Sequence, residues 1–423
     1  LTEHFKKNIL ILVGGTAVSQ ALGIAASVLL ARIYSPDDFG ILALISSAVG
    51  FFCIAASGRY ELGFMLAENY SIVLGLFRLI IRIILSISTL CALASLIYFF
   101  FADGNVISKT PFLMIGPAVF FASWSQVVIV FLTREKHFKS LSAFRIIEVS
   151  ANIIPALILG SLGALGLVSA YLVSQTILAM ALSWFLFNIW KKSNQKHKEI
   201  AIISLNTIAN KFKQFPRFNV SQGLLDAFQM SGVLWIGSSF LSLTAMGFYG
   251  MVMRFLQLPF GLIIRPLSQV YFGEISEAFR QKKPFYEFSR KLAIRIAQFA
   301  IPLLIIFPFI SKFIFEFVLG KAWAEAGTLA SILAFWIVAD SIRSPLSQIP
   351  IILSLQEQYL KITLVGTLLV FLVFALCCLV IPRENYFSVF LLFTGIQVFF
   401  NSYLIFYCLQ LARKHDTGLL HTT

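Results

Sequence analysis

The sequence predicts an all-α polytopic membrane protein, with twelve transmembrane helices in two six-helix lobes related by pseudo-two-fold symmetry. Three observations lead there. The 423 residues are 59% hydrophobic and only 12% charged, with a mean hydropathy of +0.88 and 44 Phe, more apolar surface than a soluble domain of this length tolerates. Twelve apolar stretches can be drawn along the chain, each near the twenty residues a bilayer requires. Most of the 33 Lys and Arg fall at alternate ends of those stretches, as the positive-inside rule demands.

In order, the spans cover approximately 8–33, 39–57, 79–102, 112–132, 141–160, 164–189, 216–240, 245–272, 292–315, 327–354, 359–381 and 386–411. Lys6 and Lys7 precede the first run, which is too long for a signal-peptide core and lacks a small-residue cleavage site, so it reads as a spanning helix. With the N-terminus inside, the cytoplasmic connections are basic: Arg134 to Lys139, Lys191 to Lys198, Arg280 to Arg295, and Arg413-Lys414. The outer connections, such as Ser35-Pro36-Asp37-Asp38, are short and poor in Lys. Both termini are therefore expected to be cytoplasmic. The net charge of +14 is a topology signal, and no nucleic-acid partner is expected.

The longest polar break sets the expected domain organisation: an N-terminal lobe over 1–190, a basic linker over 191–215 and a C-terminal lobe over 216–423. The linker can hold a surface helix, Glu199 to Phe212, lying on anionic headgroups, or be a solvated connection. A shift of about 207 residues sets the turn Tyr34 to Leu42 against Leu241 to Tyr249, and Arg59 beside Arg265. Six spans per half make these parallel repeats, related by an axis along the membrane normal.

Several chemistries are disfavoured. Cys53, Cys91, Cys377, Cys378 and Cys408 lie in apolar segments without metal-ligand spacing, and His4, His137, His197, His415 and His421 lie in polar ends or loops. No metal or cofactor is expected. There is no Gly-rich phosphate loop with Lys, no His-Glu-x-x-His pattern and no sizeable outer loop for a membrane glycosyltransferase or polymerase. An enzyme is not expected.

The charges that remain inside apolar runs concentrate in the hairpin from Phe215 to Phe279. In its first arm Asn219, Gln222, Asp226 and Gln229 recur at spacings of three and four, which gives a helix one polar face. In its second arm Arg254 and Arg265 are eleven residues apart, close to three turns of a continuous α-helix, so both are expected to point the same way. An Arg near the bilayer centre costs about 2.5–3.5 kcal/mol on insertion scales and usually faces a bundle interior or a watery cavity.

Two segments carry a family resemblance. Ala31-Arg-Ile-Tyr-Ser-Pro-Asp-Asp-Phe-Gly40 with Ser57-Gly-Arg-Tyr-Glu-Leu62 resembles the opening of bacterial polysaccharide-unit flippases of the O-antigen type. Gly247-Phe-Tyr249, Arg254 to Pro259, Ser268 to Phe272 and Ser276-Glu-Ala278 resemble the second half of the same family, which belongs to the multidrug-extrusion-like (MATE/MOP) superfamily of transporters. The resemblance implies two lobes around a cavity that opens alternately to each side. It also implies an inner-membrane location and an undecaprenyl-diphosphate-linked oligosaccharide as substrate, with H+ or Na+ as candidate coupling ion and a polysaccharide polymerase and chain-length regulator as candidate partners. A peptidoglycan lipid-precursor flippase or a multidrug/cation antiporter of the same superfamily is the alternative.

The residues fit that substrate class, because an Arg guanidinium presents a permanent fork of donors to phosphate oxygens. Arg59, Arg254 and Arg265 are the expected diphosphate ligands, although Arg59 can equally anchor the inner boundary or pair with Glu61. Candidates to line the cavity or couple an ion are Asp226, Glu148, Gln20, Gln222, Gln229, Asp340, Arg343 and Arg32, each with a plainer alternative. Asp226 can be neutralised by an Arg, Glu148 by Arg145, and Asp340 by Arg343 one turn on. Arg32 can snorkel or pair with Asp37 or Asp38. Gln20 shares a stripe with Thr16, Gly23 and Ser27 that suits helix packing. Arg78 and Arg82 read as inner-boundary anchors of span three.

Overall fold

In hydrocarbon every backbone donor and acceptor must be satisfied within the chain, so the apolar runs have to become helices. A computed structural model describes residues 3–67, 69–102, 109–194, 203–353 and 355–418, and contains helices without a strand among them. The chain divides into two compact units, Leu1–Trp235 and Ile236–Thr423. The first holds α1 (Glu3–Leu30), α2 (Pro36–Ala56), α3 (Tyr70–Phe101), α4 (Ile115–Arg134), α5 (Phe138–Ile158), α6 (Ala164–Asn194), the short α7 (Leu205–Lys211) and most of α8 (Val220–Phe240). The second holds α9 (Leu243–Pro259), α10 (Arg265–Arg280), α11 (Tyr286–Leu319), α12 (Ala324–Leu346), α13 (Ile349–Ile352), α14 (Gln356–Val380) and α15 (Tyr386–Asp416).

A helix meets each of the twelve expected spans. Among the described residues, nine helical stretches are long and apolar enough to cross a membrane, or ten when α11, bent by 42° after Pro302, counts as one. Of the other two spans, α1 contributes only the short apolar stretch Ala17–Leu30 to that tally. In α8, Ser221, Gln222, Asp226 and Gln229 dilute the apolar run.

Each unit is built on its own core. In the first, Phe77 packs its ring on Phe64 (centroids 4.6 Å apart), Phe131 (5.3 Å) and Trp190 (5.6 Å), tying α3, α4 and α6 together. The start of α2 is specified locally: Ser35 and Asp38 form a reciprocal capping box, which satisfies donors that a helix N-terminus leaves open. One residue earlier, the Tyr34 hydroxyl donates to the Ala156 carbonyl at 2.6 Å and fixes this turn to α5.

Part of the linker region is helical, within the range expected for a surface helix, and one face of it packs on the first unit. Positions 195–202 lie outside the described residues; from Ser204 onward the chain forms α7, whose Ile208 (1% exposed) and the following Phe212 (4%) are buried in the core of the first unit. The contact boundary also falls later than the linker, at Trp235. Trp235 accounts for part of that: its indole N–H donates to the Ser47 hydroxyl at 2.9 Å and its ring meets Phe51 edge-on at 4.8 Å, holding α8 to α2.

In the second unit the chain closes on itself. The Asp416 carboxylate, at the end of α15, accepts from the backbone N–H groups of Phe285 (3.2 Å) and Tyr286 (2.8 Å) and so caps α11. The His415 ring lies beside Phe279 (5.4 Å) and Phe285 (4.9 Å), and the Tyr271 and Ser289 hydroxyls are paired at 2.6 Å.

Candidate functional site

The site residues of the first unit gather where α2 ends. Gly58 and Arg59 are both left-handed, at φ 57° and 55°. That conformation suits Gly and costs other residues about 1 kcal/mol or more, and here it turns the chain out of α2 into the 3₁₀ segment Tyr60–Leu66. The turn places the Arg59 guanidinium against the backbone of α8, where a methyl group on Gly223 would lie 2.7 Å from Arg59 Nη2 and 3.1 Å from Nε. A side chain at position 223 would displace the end of the Arg59 side chain.

The same turn buries an acid. Glu61 is 1% exposed, its Oε1 lies 3.9 Å from Arg59 Nη1, and its Oε2 is buried with no hydrogen-bond partner. Burial raises its carboxyl above the ordinary value, while a backbone amide, the Ser57 hydroxyl and the Arg59 charge oppose that rise. Arg59 itself keeps 28% of its side chain exposed. A fixed cation therefore stands half open beside an acid that is shut away, and it has donors to spare for an anion. Of the expectations for Arg59, the approach to Glu61 is present, though loose, and part of the guanidinium stays exposed.

In the second unit Arg254 is exposed on α9, in a segment apolar enough to span. The expectation that Arg254 and Arg265 share a face rested on a continuous α-helix, and the backbone does not provide one. Phe260–Ile264 is a π-helical segment directly after Pro259, and its wider turn changes the phase between the two arginines. Proline supplies the cause, because it has no N–H for the α-helical ladder. A second π-helical segment, Phe215–Asn219, precedes α8 and contains Pro216. The side chains of Arg265, Gln222 and Asp226 lie outside the described residues.

The remaining candidates fall in separate places. Arg343 donates from Nε (3.0 Å) and Nη2 (2.6 Å) to Asp340 Oδ1 and from Nη1 to the Tyr359 hydroxyl (3.2 Å), so α12 and α14 share one ion-paired cluster. Glu148 accepts from Gln175 Nε2 at 3.2 Å, a bond between α5 and α6. Gln20 Oε1 is buried without a hydrogen-bond partner, two turns from the buried Ser27, whose hydroxyl donates to the Gly23 carbonyl at 2.7 Å. Gln229 is half-buried on α8, and Arg32 is exposed next to the capping box of α2. No cluster of three or more His, Cys, Asp or Glu suited to a metal occurs among the described residues.

Comparison with solved structures places the architecture. The lipid II flippase MurJ in an inward closed conformation aligns with a TM-score of 0.67 at 17% identity, over 97% of this chain and 90% of that one. An inward-facing multidrug resistance MATE family transporter of the MOP superfamily aligns at 0.59 and 12% identity, over 95% of each chain. The eukaryotic MATE transporter AtDTX14 aligns at 0.53 and 14%, over 98% and 99%. These likenesses show the fold, and its apolar helices define the class of polytopic α-helical membrane proteins. Within it, the chain belongs to the polysaccharide biosynthesis protein family, whose model matches residues 29–328. No match was found among curated protein sequences.

Three features were out of reach of sequence reasoning: the left-handed conformation of Arg59, the burial of Glu61 and the two π-helical segments. Gly58 is the one local signal for the first. Pro216 and Pro259 are the signals for the last.

Proposed function

We propose that this protein is a flippase that carries an undecaprenyl-diphosphate-linked oligosaccharide, an O-antigen or other surface-polysaccharide repeat unit, from the cytoplasmic to the periplasmic leaflet by alternating access. The observation that carries this reading is Arg59, a guanidinium held in a strained turn with its edge open. In this reading Arg59, Arg254 and Arg265 are the diphosphate ligands. The family to which the chain belongs supports polysaccharide export as the setting.

A diphosphate is compact and multiply charged, and water-poor surroundings strengthen its attraction to fixed cations. Binding to guanidinium forks replaces the hydration the headgroup loses on leaving the leaflet. Moving one negative charge outward against an inside-negative potential of 100 mV releases about 2.3 kcal/mol. The potential drives the loaded step without a dedicated coupling site. Within the first unit Glu61 is buried and Glu148 is hydrogen-bonded to Gln175, which favours an anionic headgroup over a cation as cargo.

Reconstitution tests the proposal. Proteoliposomes containing the purified chain should move a fluorescent undecaprenyl-diphosphate oligosaccharide, faster when the potential favours outward transfer of negative charge. Arg254→Gln and Arg59→Gln should each slow it at least tenfold. Full transport by both variants, or preferential transport of organic cations, would overturn the reading.

A further inference from the structure

A second basic site lies on the outside of the first unit and is independent of the flippase reading. Arg78, in the third turn of α3, is half-buried. Its Nε and Nη2 are both sealed from solvent and have no hydrogen-bond acceptor among the described residues. A guanidinium cannot shed its charge, and buried donors without acceptors are rare in folded proteins. Neither α3 nor α7 contains an acidic residue, so nothing on this helix pair compensates the cation.

The surroundings define what does. Gly75, Arg78 and Arg82 recur at spacings of three and four and share one face of α3. α7 rests on that face: a methyl group on Gly75 would lie 2.8 Å from Ile208. α7 ends in exposed Lys211, followed by exposed Lys213, and Arg82 is exposed one turn beyond Arg78. Past Arg82 the exposed surface of α3 is mostly apolar, through Leu85 (50% exposed), Leu93 (52%), Ile97 (60%) and Phe100 (73%), with Ser86 and Thr89 exposed among them. A basic ledge thus caps an apolar strip along the same helix. A ligand that matches both must carry an anionic group joined to a long hydrocarbon.

We propose that the α3–α7 junction binds the headgroup of an anionic phospholipid, with Arg78 as its inner ligand, Arg82 as its outer one, and the acyl chains along the strip from Leu85 to Phe100. Basic recesses between helices at a membrane boundary take such headgroups. The lipid would also bear on the seat of α7, because Gly75 and Arg78 lie one turn apart. The headgroup would meet Arg78 at Nη1, the guanidinium nitrogen that is not among the sealed ones, and supply the counter-charge the helix pair lacks.

Native mass spectrometry of the purified full chain tests this, with phosphatidylglycerol, phosphatidylcholine or inorganic phosphate titrated into delipidated protein. One phosphatidylglycerol should be retained in preference to phosphatidylcholine. Arg78→Gln should weaken it roughly tenfold, the loss of about one charge-assisted contact, and Arg82→Gln should weaken it by a smaller factor. Arg290→Gln, which removes an exposed charge from α11, should leave it unchanged. The proposal is overturned if Arg78→Gln binds as the unaltered chain does, if phosphatidylcholine is retained equally, or if inorganic phosphate displaces the lipid at matched concentration. Should Arg78→Gln not purify, Arg82→Gln decides the matter on an exposed side chain, and unaltered binding by it overturns the site.

Discussion

The guanidinium of Arg59 lies against the backbone of Gly223, so close that a methyl group there would stand 2.7 Å from Nη2. Gly223→Ala must therefore push Arg59 aside. On an ordinary helix the change would favour folding by up to about 1 kcal/mol, yet here transport should fall about as far as in Arg59→Gln. Gly50→Ala on α2 is the control, since nothing lies within 4 Å of its added methyl. It should transport normally in the same proteoliposome assay.

Arg59 holds a left-handed conformation at φ 55°, so Arg59→Gly should relieve strain while removing the cation. Thermal unfolding in detergent should show a gain of about 1 kcal/mol alongside lost transport. Arg59→Lys, which keeps charge and strain, should be no more stable than the unaltered chain. Stabilisation with transport retained would remove Arg59 from the site.

Glu61 gives a pH dependence of definite sign. Burial raises its carboxyl above the usual value near 4.5, so the folded state favours the neutral acid. Its contribution is full below that usual value and is lost as pH climbs through the raised one. Glu61→Gln, which stays neutral, should match the unaltered chain at low pH and become the more stable of the two as pH rises. Melting temperatures taken from pH 4.5 to 8 check this, and a gap that closes with rising pH would contradict it.

Asp340 and Arg343 are about one-fifth exposed and bonded twice. Arg343→Gln or Asp340→Asn alone should cost about 1–3 kcal/mol, and the double variant less than the sum. A double-mutant cycle on unfolding reads the coupling. Unchanged stability with impaired transport would instead place the pair in the cavity lining.

How much of this was legible in the chain depends on how local the cause is. The spans were legible because lipid leaves the backbone no alternative to helix. The capping box at Ser35 and Asp38 and the bridge between Asp340 and Arg343 were legible because their partners sit three residues apart. Glu61 looked like any polar residue in a loop, and its burial comes from helices that pack against it from elsewhere in the first unit. The spacing rule took the backbone from Arg254 to Arg265 as continuous α-helix, whereas Phe260–Ile264 is π-helical after Pro259, a change that rule cannot contain. The docking of α7 escaped because Ile208 and Phe212 are two apolar residues in a polar stretch, too few to show a period.

The carboxylate that caps α11 belongs to Asp416, about 130 positions downstream of the amides it accepts from. During synthesis the first turn of that helix therefore waits with its donors open while three further spans are made and inserted. The second unit can be finished only once Asp416 has been made, whereas the turn at Ser35 and Asp38 can be set as soon as it leaves the ribosome.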